Sequence, residues 1–113
     1  MVATISREQL QRKLEHGGNV ILIETLPESE FHEAHLPGAV NLPPDHKHAL
    51  SLPDKDAEIV VYCSGPECDA AEVAARELMA LGYNNVRVYP GGKSDWIAAG
   101  LPTVSGVPLA TPY

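Results

Sequence analysis

Two cysteines are the residues of this chain best suited to covalent chemistry. They stand close together in the stretch Cys63-Ser-Gly-Pro-Glu-Cys68-Asp69. A cysteine thiolate is a strong nucleophile once its pKa is lowered. The spacing is not Cys-x-x-Cys, and two cysteines alone do not make a zinc site. A disulfide between them would close a very small loop and add little to fold stability. The pair therefore reads as thiols kept for chemistry in a reducing compartment.

The surrounding pattern places Cys63 where such chemistry can happen. Ile59 to Tyr62 is a continuous apolar run, expected of a strand covered on both faces, and it leads straight into Cys63. From Asp69 to Leu81 the pattern is helical, with Ala70, Val73, Ala74, Leu78 and Leu81 on one face and Glu72 spaced to pair with Arg76. A strand, a six-residue turn (Ser64, Gly65, Pro66, Glu67, Cys68, Asp69) and a helix follow in order. Turn amides and a helix N-terminus both favour an anion, so the loop is a candidate cradle for a thiolate. The bland alternative is that Cys63 is an apolar-like residue ending a strand. Ser64, Gly65 and Pro66 are poor core residues and suit a tight exposed loop, which favours function.

The remaining chain alternates helical and extended patterns. Ser6 to Gln9 forms a capping-box signature, with Leu10 and Leu14 on one face and Gly17-Gly18 as the stop. Val20 to Ile23 is a second buried strand. Pro27 opens a short helix to about Ala34, and Pro37-Gly38 is a turn. Ala39 to Leu42 is a short strand closed by Pro43 and Pro44, and 45–53 is weakly patterned. Gly82 ends the helix after the cysteines. Val86 to Tyr89 is a third clear strand, and Gly91-Gly92 leads into a last helix from Ser94 to Ala99, closed by Gly100 and Pro102. This order predicts a three-layer α/β/α domain with a mainly parallel central sheet. The domain is expected over 1–103, with 104–113 as a C-terminal tail lying on the surface or partly disordered.

Composition agrees with a globular domain. The chain has 113 residues, 44% apolar and 20% charged, enough for a core without disulfides or a structural metal. The net charge of −7 argues against non-specific binding to nucleic acid or an anionic membrane. No apolar run reaches a membrane span, and no secretory signal is visible, so a cytoplasmic location is expected.

In order and spacing the motifs resemble those of the rhodanese-like domain family. Glu30-Phe31 and His35-Leu-Pro-Gly-Ala39 are similar to its Glu-Phe/Tyr and Gly-His-Ile-Pro-Gly-Ala signatures. Val60-Val-Tyr-Cys63 resembles the strand before its catalytic cysteine. Ala74-Ala75, Leu81-Gly82-Tyr83, Val86 to Tyr89 and Gly91-Gly92 through Trp96 resemble the rest of its core. The resemblance spans about 4–103. It implies about five strands and a Cys63 that takes a sulfane sulfur from thiosulfate or a persulfide and passes it to a thiophilic acceptor. The intermediate would be a Cys63 persulfide, with no cofactor and no metal, and with residues 64–69 as the substrate loop. Its partners would be a small-molecule or protein-borne sulfur donor and a thiol acceptor, and the protein would be a monomer or weak homodimer.

The departures from that pattern concern charge. The family's loop arginine is Cys68 here, the phosphatase relatives' arginine is Asp69, and the strand-end Asp-x-Arg becomes Glu24-Thr25-Leu26. Pro66 offers no N–H, and Glu67 and Asp69 repel a dianion. A neutral or protein-borne donor thus suits this loop better than thiosulfate. Cys68 has two readings: a resolving thiol that forms a disulfide with Cys63, or an inert small residue facing the helix. Two rivals to sulfur transfer remain: a non-catalytic interaction or regulatory module, and a thiol redox switch using Cys63 and Cys68. His35 is expected to be a structural hydrogen-bonding residue, 45–48 a solvated loop and not a metal site, Trp96 a core residue, and Asp95 a helix-surface charge. Lys93 has no assigned place.

Overall fold

The computed structural model describes residues 2–17, 19–42 and 55–106. The sequence expectations for Gly18, Pro43, Pro44 and 45–53, and for the tail from Val107 on, lie outside the described residues.

Five strands form one sheet: β1 (Ala3–Thr4), β2 (Ile21–Glu24), β3 (Val40–Asn41), β4 (Ile59–Tyr62) and β5 (Val86–Tyr89). Their order is β1-β5-β4-β2-β3, and every pairing is parallel. Strand β4 is central. Its four residues pair one-to-one with β2 on one side and β5 on the other, so Tyr62 lies between Glu24 and Tyr89. All four β4 side chains are buried, as a strand with helices on both faces requires. The two-residue strand β1 has no pattern of its own in the sequence; it forms because Ala3 and Thr4 reach the open edge of β5.

The helices are α1 (Arg7–Glu15), α2 (Glu28–Glu33), α3 (Ala70–Ala80) and α4 (Gly92–Ala98). The capping box at α1 is formed: Gln9 N–H donates to the Ser6 hydroxyl and Ser6 N–H to the Gln9 side chain. Strand alternation divides the core in two. Ile59, Val61 and Cys63 face α3, where they pack with Ala71, Ala75 and Leu78. Val60 and Tyr62 face the opposite layer with Leu10 of α1, Phe31 of α2 and Trp96 of α4. The architecture is therefore α/β/α in three layers, as expected.

Helix α3 turns a different face inward from the one its pattern suggested. Ala71, Ala75 and Leu78 are buried, Ala70 and Ala74 flank them, and Val73 (51% exposed) and Leu81 point to solvent. Apolar residues surround most of this helix, so periodicity leaves its rotation open to about one residue, or roughly 100°. Close approach to the sheet selects the face on which alanines are not in the way.

The end of the described chain is tied to the body. His35 and Val104 exchange both backbone hydrogen bonds at 2.8 Å in an antiparallel bridge, and Gly106 N–H donates to the His32 carbonyl.

Candidate active site

The site lies at the carboxyl edge of the sheet, where ligands bind in open α/β folds. Cys63 follows the last residue of β4. Its side chain continues the strand alternation and enters the α3-side core at 2% exposure. The 64–69 loop then turns sharply. Cys68 N–H donates to the Gly65 carbonyl (3.1 Å), which brings Cys68 back over Cys63. The two sulfurs are joined in a disulfide across a Cα–Cα distance of 6.2 Å. Cys68 is therefore not an inert spacer: its side chain faces Cys63. The expectation of two free thiols is replaced by a bonded pair.

Helix α4 supplies the floor of the loop. Lys93 N–H donates to the Cys63 carbonyl (2.9 Å) and Ser94 N–H to the Ser64 carbonyl (2.8 Å). These amides belong to the first turn of α4, where no intrahelical acceptor exists. Across a trans peptide the N–H points opposite to the C=O. The amides of Ser64 and Gly65 therefore point away from α4, and among the described residues no backbone acceptor engages them. Gly92 makes the contact possible. It sits at φ +66, and a Cβ there would lie 2.6 Å from the Cys63 carbonyl oxygen and 2.8 Å from Gly65 N.

The loop's own charges are acidic. Ser64, Pro66, Glu67 and Asp69 are exposed, and Gly65 and Cys68 are partly buried. Asp69 precedes α3, but its side chain caps no amide there. On the outer side a cleft of about 200 Å³ is lined by Cys68 with Val2, Thr4, Pro66, Glu72, Val88 and Pro90. Glu72 pairs with Arg76 at 2.8 Å, as the spacing predicts, on the exposed side of α3.

Sequence reasoning left two groups unread. Lys93 reaches back along the sheet edge: its ammonium lies 3.0 Å from Glu24 Oε2 and donates to the Glu30 carbonyl at 2.9 Å. Glu24 is fully buried, and its other oxygen, Oε1, accepts the Tyr62 hydroxyl at 2.6 Å. That hydroxyl also accepts Leu36 N–H, and burial first, then Glu24, pushes its pKa far above the ordinary tyrosine value. A charged residue ending an apolar strand, with a lysine just past a Gly-Gly turn, is the signal that could have linked them. The second group corrects the reading of Asp95 as a surface charge. Its carboxylate accepts the Tyr89 hydroxyl at 2.6 Å and pairs with Arg7 at 2.9 Å. The Tyr89 hydrogen bond and then Arg7 hold its pKa down, against desolvation.

His35 is buried, with Nδ1 2.9 Å from the Phe31 carbonyl oxygen and its ring stacked on Phe31 at 3.9 Å. That is the structural role expected of it. Trp96 is buried in the core and donates to the Pro102 carbonyl.

The family model described as the Rhodanese-like domain matches residues 6–99. The chain belongs to the rhodanese-like family. Among solved structures, the rhodanese-like domain of the Anabaena sp. Alr3790 protein is similar at a TM-score of 0.80 and 27% identity, over 100% of this chain and 86% of that one. A Saccharomyces cerevisiae protein named thiosulfate:glutathione sulfurtransferase is 28% identical over 88% of this chain and 81% of its own length. A Mycobacterium tuberculosis protein named HTH-type transcriptional regulator Rv0324 is 35% identical over 93% of this chain. This rhodanese-like chain spans only 46% of that regulator's length.

Proposed function

We propose that the protein is a sulfurtransferase that moves a sulfane sulfur to a thiophilic acceptor through a persulfide on Cys63. The observation that carries this reading is the placement of Cys63 at the carboxyl end of the central strand, followed by two amides turned away from α4 and, among the described residues, unengaged by backbone acceptors. The reduced Cys63 thiolate attacks the donor's outer sulfur. The bond from that sulfur to the rest of the donor breaks, and the donor leaves with the electron pair, as sulfite if the donor is thiosulfate. The persulfide anion remains on Cys63, and the Ser64 and Gly65 amides stabilise its charge. An acceptor thiolate then takes the outer sulfur and returns Cys63 to the thiolate.

Glu67, Asp69 and Glu72 border the loop and its cleft, and the whole chain carries −7. Coulomb repulsion therefore favours a neutral or protein-borne persulfide over thiosulfate. The relative named for thiosulfate and glutathione supports a thiol as acceptor. This reading sets the protein in a reducing compartment such as the cytoplasm, as a monomer or weak homodimer.

The test is intact mass of the prereduced Cys68→Ser protein, in which no Cys63–Cys68 disulfide can form, after exposure to an organic persulfide or to thiosulfate, beside a Cys63→Ser variant of it. A gain of about 32 daltons that vanishes in the variant is expected, larger with the persulfide. No gain with either donor would sink the reading. A regulatory role has one observation in its favour, the relative named as a transcriptional regulator. It predicts a Cys63 that stays unreactive toward thiol reagents and sulfur donors.

A further inference from the structure

We propose that Cys68 resolves the Cys63 persulfide, so that where no external acceptor takes the sulfane sulfur the protein releases it as sulfide and is then reset by a small external thiol at the cleft beside Cys68. The proposal rests on the Cys63 persulfide reading above and extends it to the fate of the sulfur.

The geometry supplies the resolving thiol. Cys68 stands where the loop arginine of related domains would be, and the Gly65–Cys68 turn holds its sulfur in bonding reach of Cys63. In a persulfidated protein the same reach lets the Cys68 thiolate attack Cys63 Sγ. The Cys63–Cys68 bond forms, the bond from Cys63 to the outer sulfur breaks, and the outer sulfur leaves with the electron pair and takes up the proton given by the Cys68 thiol, departing as hydrosulfide. Two electrons pass from the two cysteines to the sulfane sulfur, which goes from the zero-valent to the sulfide state. The sulfane sulfur is itself the oxidant, so no other is required. The product is the disulfide found in the structure.

The reverse half follows from exposure. Cys63 is 2% exposed and packed among apolar side chains, whereas Cys68 is partly exposed and lines the outer cleft. An incoming thiolate reaches the Cys68 sulfur. It forms a mixed disulfide there, and Cys63 leaves as the thiolate. The amides of Ser64 and Gly65 stabilise that leaving group, and a more stable leaving thiolate departs faster. A second thiol displaces the first from Cys68, giving the external disulfide and the dithiol protein.

The cleft also restricts the thiol. Val2, Pro66, Val88 and Pro90 make apolar walls, Glu72 is acidic, and at about 200 Å³ the space admits a small molecule. A neutral thiol such as 2-mercaptoethanol fits this lining better than an anionic one such as 3-mercaptopropionate.

Single turnover of prereduced protein with an excess-free dose of organic persulfide tests the first half. Wild type is expected to release one sulfide per chain and to end about 2 daltons lighter than the dithiol form, whereas Cys68→Ser and Cys68→Ala keep the added sulfur and release none. Wild type that holds the extra sulfur without releasing sulfide, as the variants do, overturns the proposal but leaves the persulfide reading standing. No sulfur gained by any of the three proteins, and no sulfide released, removes both. For the second half, oxidised wild type is treated with 2-mercaptoethanol and the freed cysteine is trapped by iodoacetamide. The alkyl group is expected on Cys63 and the mercaptoethanol on Cys68, and the reverse distribution overturns the assigned direction of attack.

Discussion

Tyr62 and Tyr89 end the two adjacent strands β4 and β5, in register with one another, and each donates a 2.6 Å hydrogen bond to a carboxylate that is itself paired with a cation. The chemistry is the same in both places, but the surroundings differ. Glu24 is fully buried and its partner Lys93 is 12% exposed, whereas the Asp95 side chain is 36% exposed and its partner Arg7 nearly as open. Burial lifts both tyrosine pKa values above the ordinary range, and the neighbouring carboxylates add to the effect, so both hydroxyls stay protonated donors. The difference lies in what happens when one charge is lost. In water the remaining partner is rehydrated. At Glu24 it is left in the core without compensation. Both clusters grip α4, one through Lys93 and the other through Asp95, and the first-turn amides of α4 hold the carbonyls of Cys63 and Ser64. The buried cluster therefore governs whether the cysteine loop has a floor, and the open cluster trims its position.

Removing the cation from the buried cluster is the strongest way to break this contrast. Lys93→Met is expected to cost about 3–5 kcal/mol in urea unfolding, because it leaves the buried Glu24 without its cationic partner. Adding Glu24→Gln should restore much of that stability while leaving an oxygen to accept the Tyr62 hydroxyl. A loss in the single variant no larger than about 1 kcal/mol, typical of an exposed pair, would erase the distinction.

Gly92→Ala attacks the contact that both clusters serve. A Cβ at φ +66 meets carbonyl and amide backbone, which cannot swing aside as a side chain would. We expect a loss of about 2 kcal/mol, read by thermal unfolding. Sulfur uptake by the reduced protein should fall on the order of 100-fold as the loop shifts. Normal uptake would separate the loop from its α4 floor.

The open cluster should yield less, and with a pH signature. Asp95→Asn is expected to cost about 1 kcal/mol near neutrality, discounted for exposure. The folded pKa of Asp95 lies below its unfolded value, so its contribution is complete above the unfolded value near 4 and is lost as pH falls through the folded one. Stability curves of the two proteins should therefore run apart at neutral pH and converge in acid. A constant offset across that range would mean that shape, not charge, is what Asp95 provides. The smallest effect is expected on α3, outside both clusters. Val73→Ser should change stability by no more than about 0.5 kcal/mol, whereas Ala75→Val on the inward face should cost about 1–3 kcal/mol by overpacking.

Short-range rules were enough for much of this protein. The strands expected at 20–23, 59–62 and 86–89 form at 21–24, 59–62 and 86–89, because most of their side chains are covered by the helical layers on either face. The Ser6 capping box and the glycine stops act over three or four residues and can be read without a fold. The strand–loop–helix order put Cys63 at the carboxyl edge, and the acidic makeup of its loop was visible from composition. Only assembly decided the rest. Strand β1 exists because β5 has an open edge, and the inward face of α3 was chosen by contact with the sheet. Lys93 meets Glu24 across 69 positions of chain, and Asp95 meets Arg7 across 88. Whether Cys68 faced Cys63 or the helix depended on one turn of the backbone. Local sequence sets which conformations a segment can adopt. The pairing of distant charges and the rotation of an ambiguous helix are settled only by the exclusion of water when the layers close.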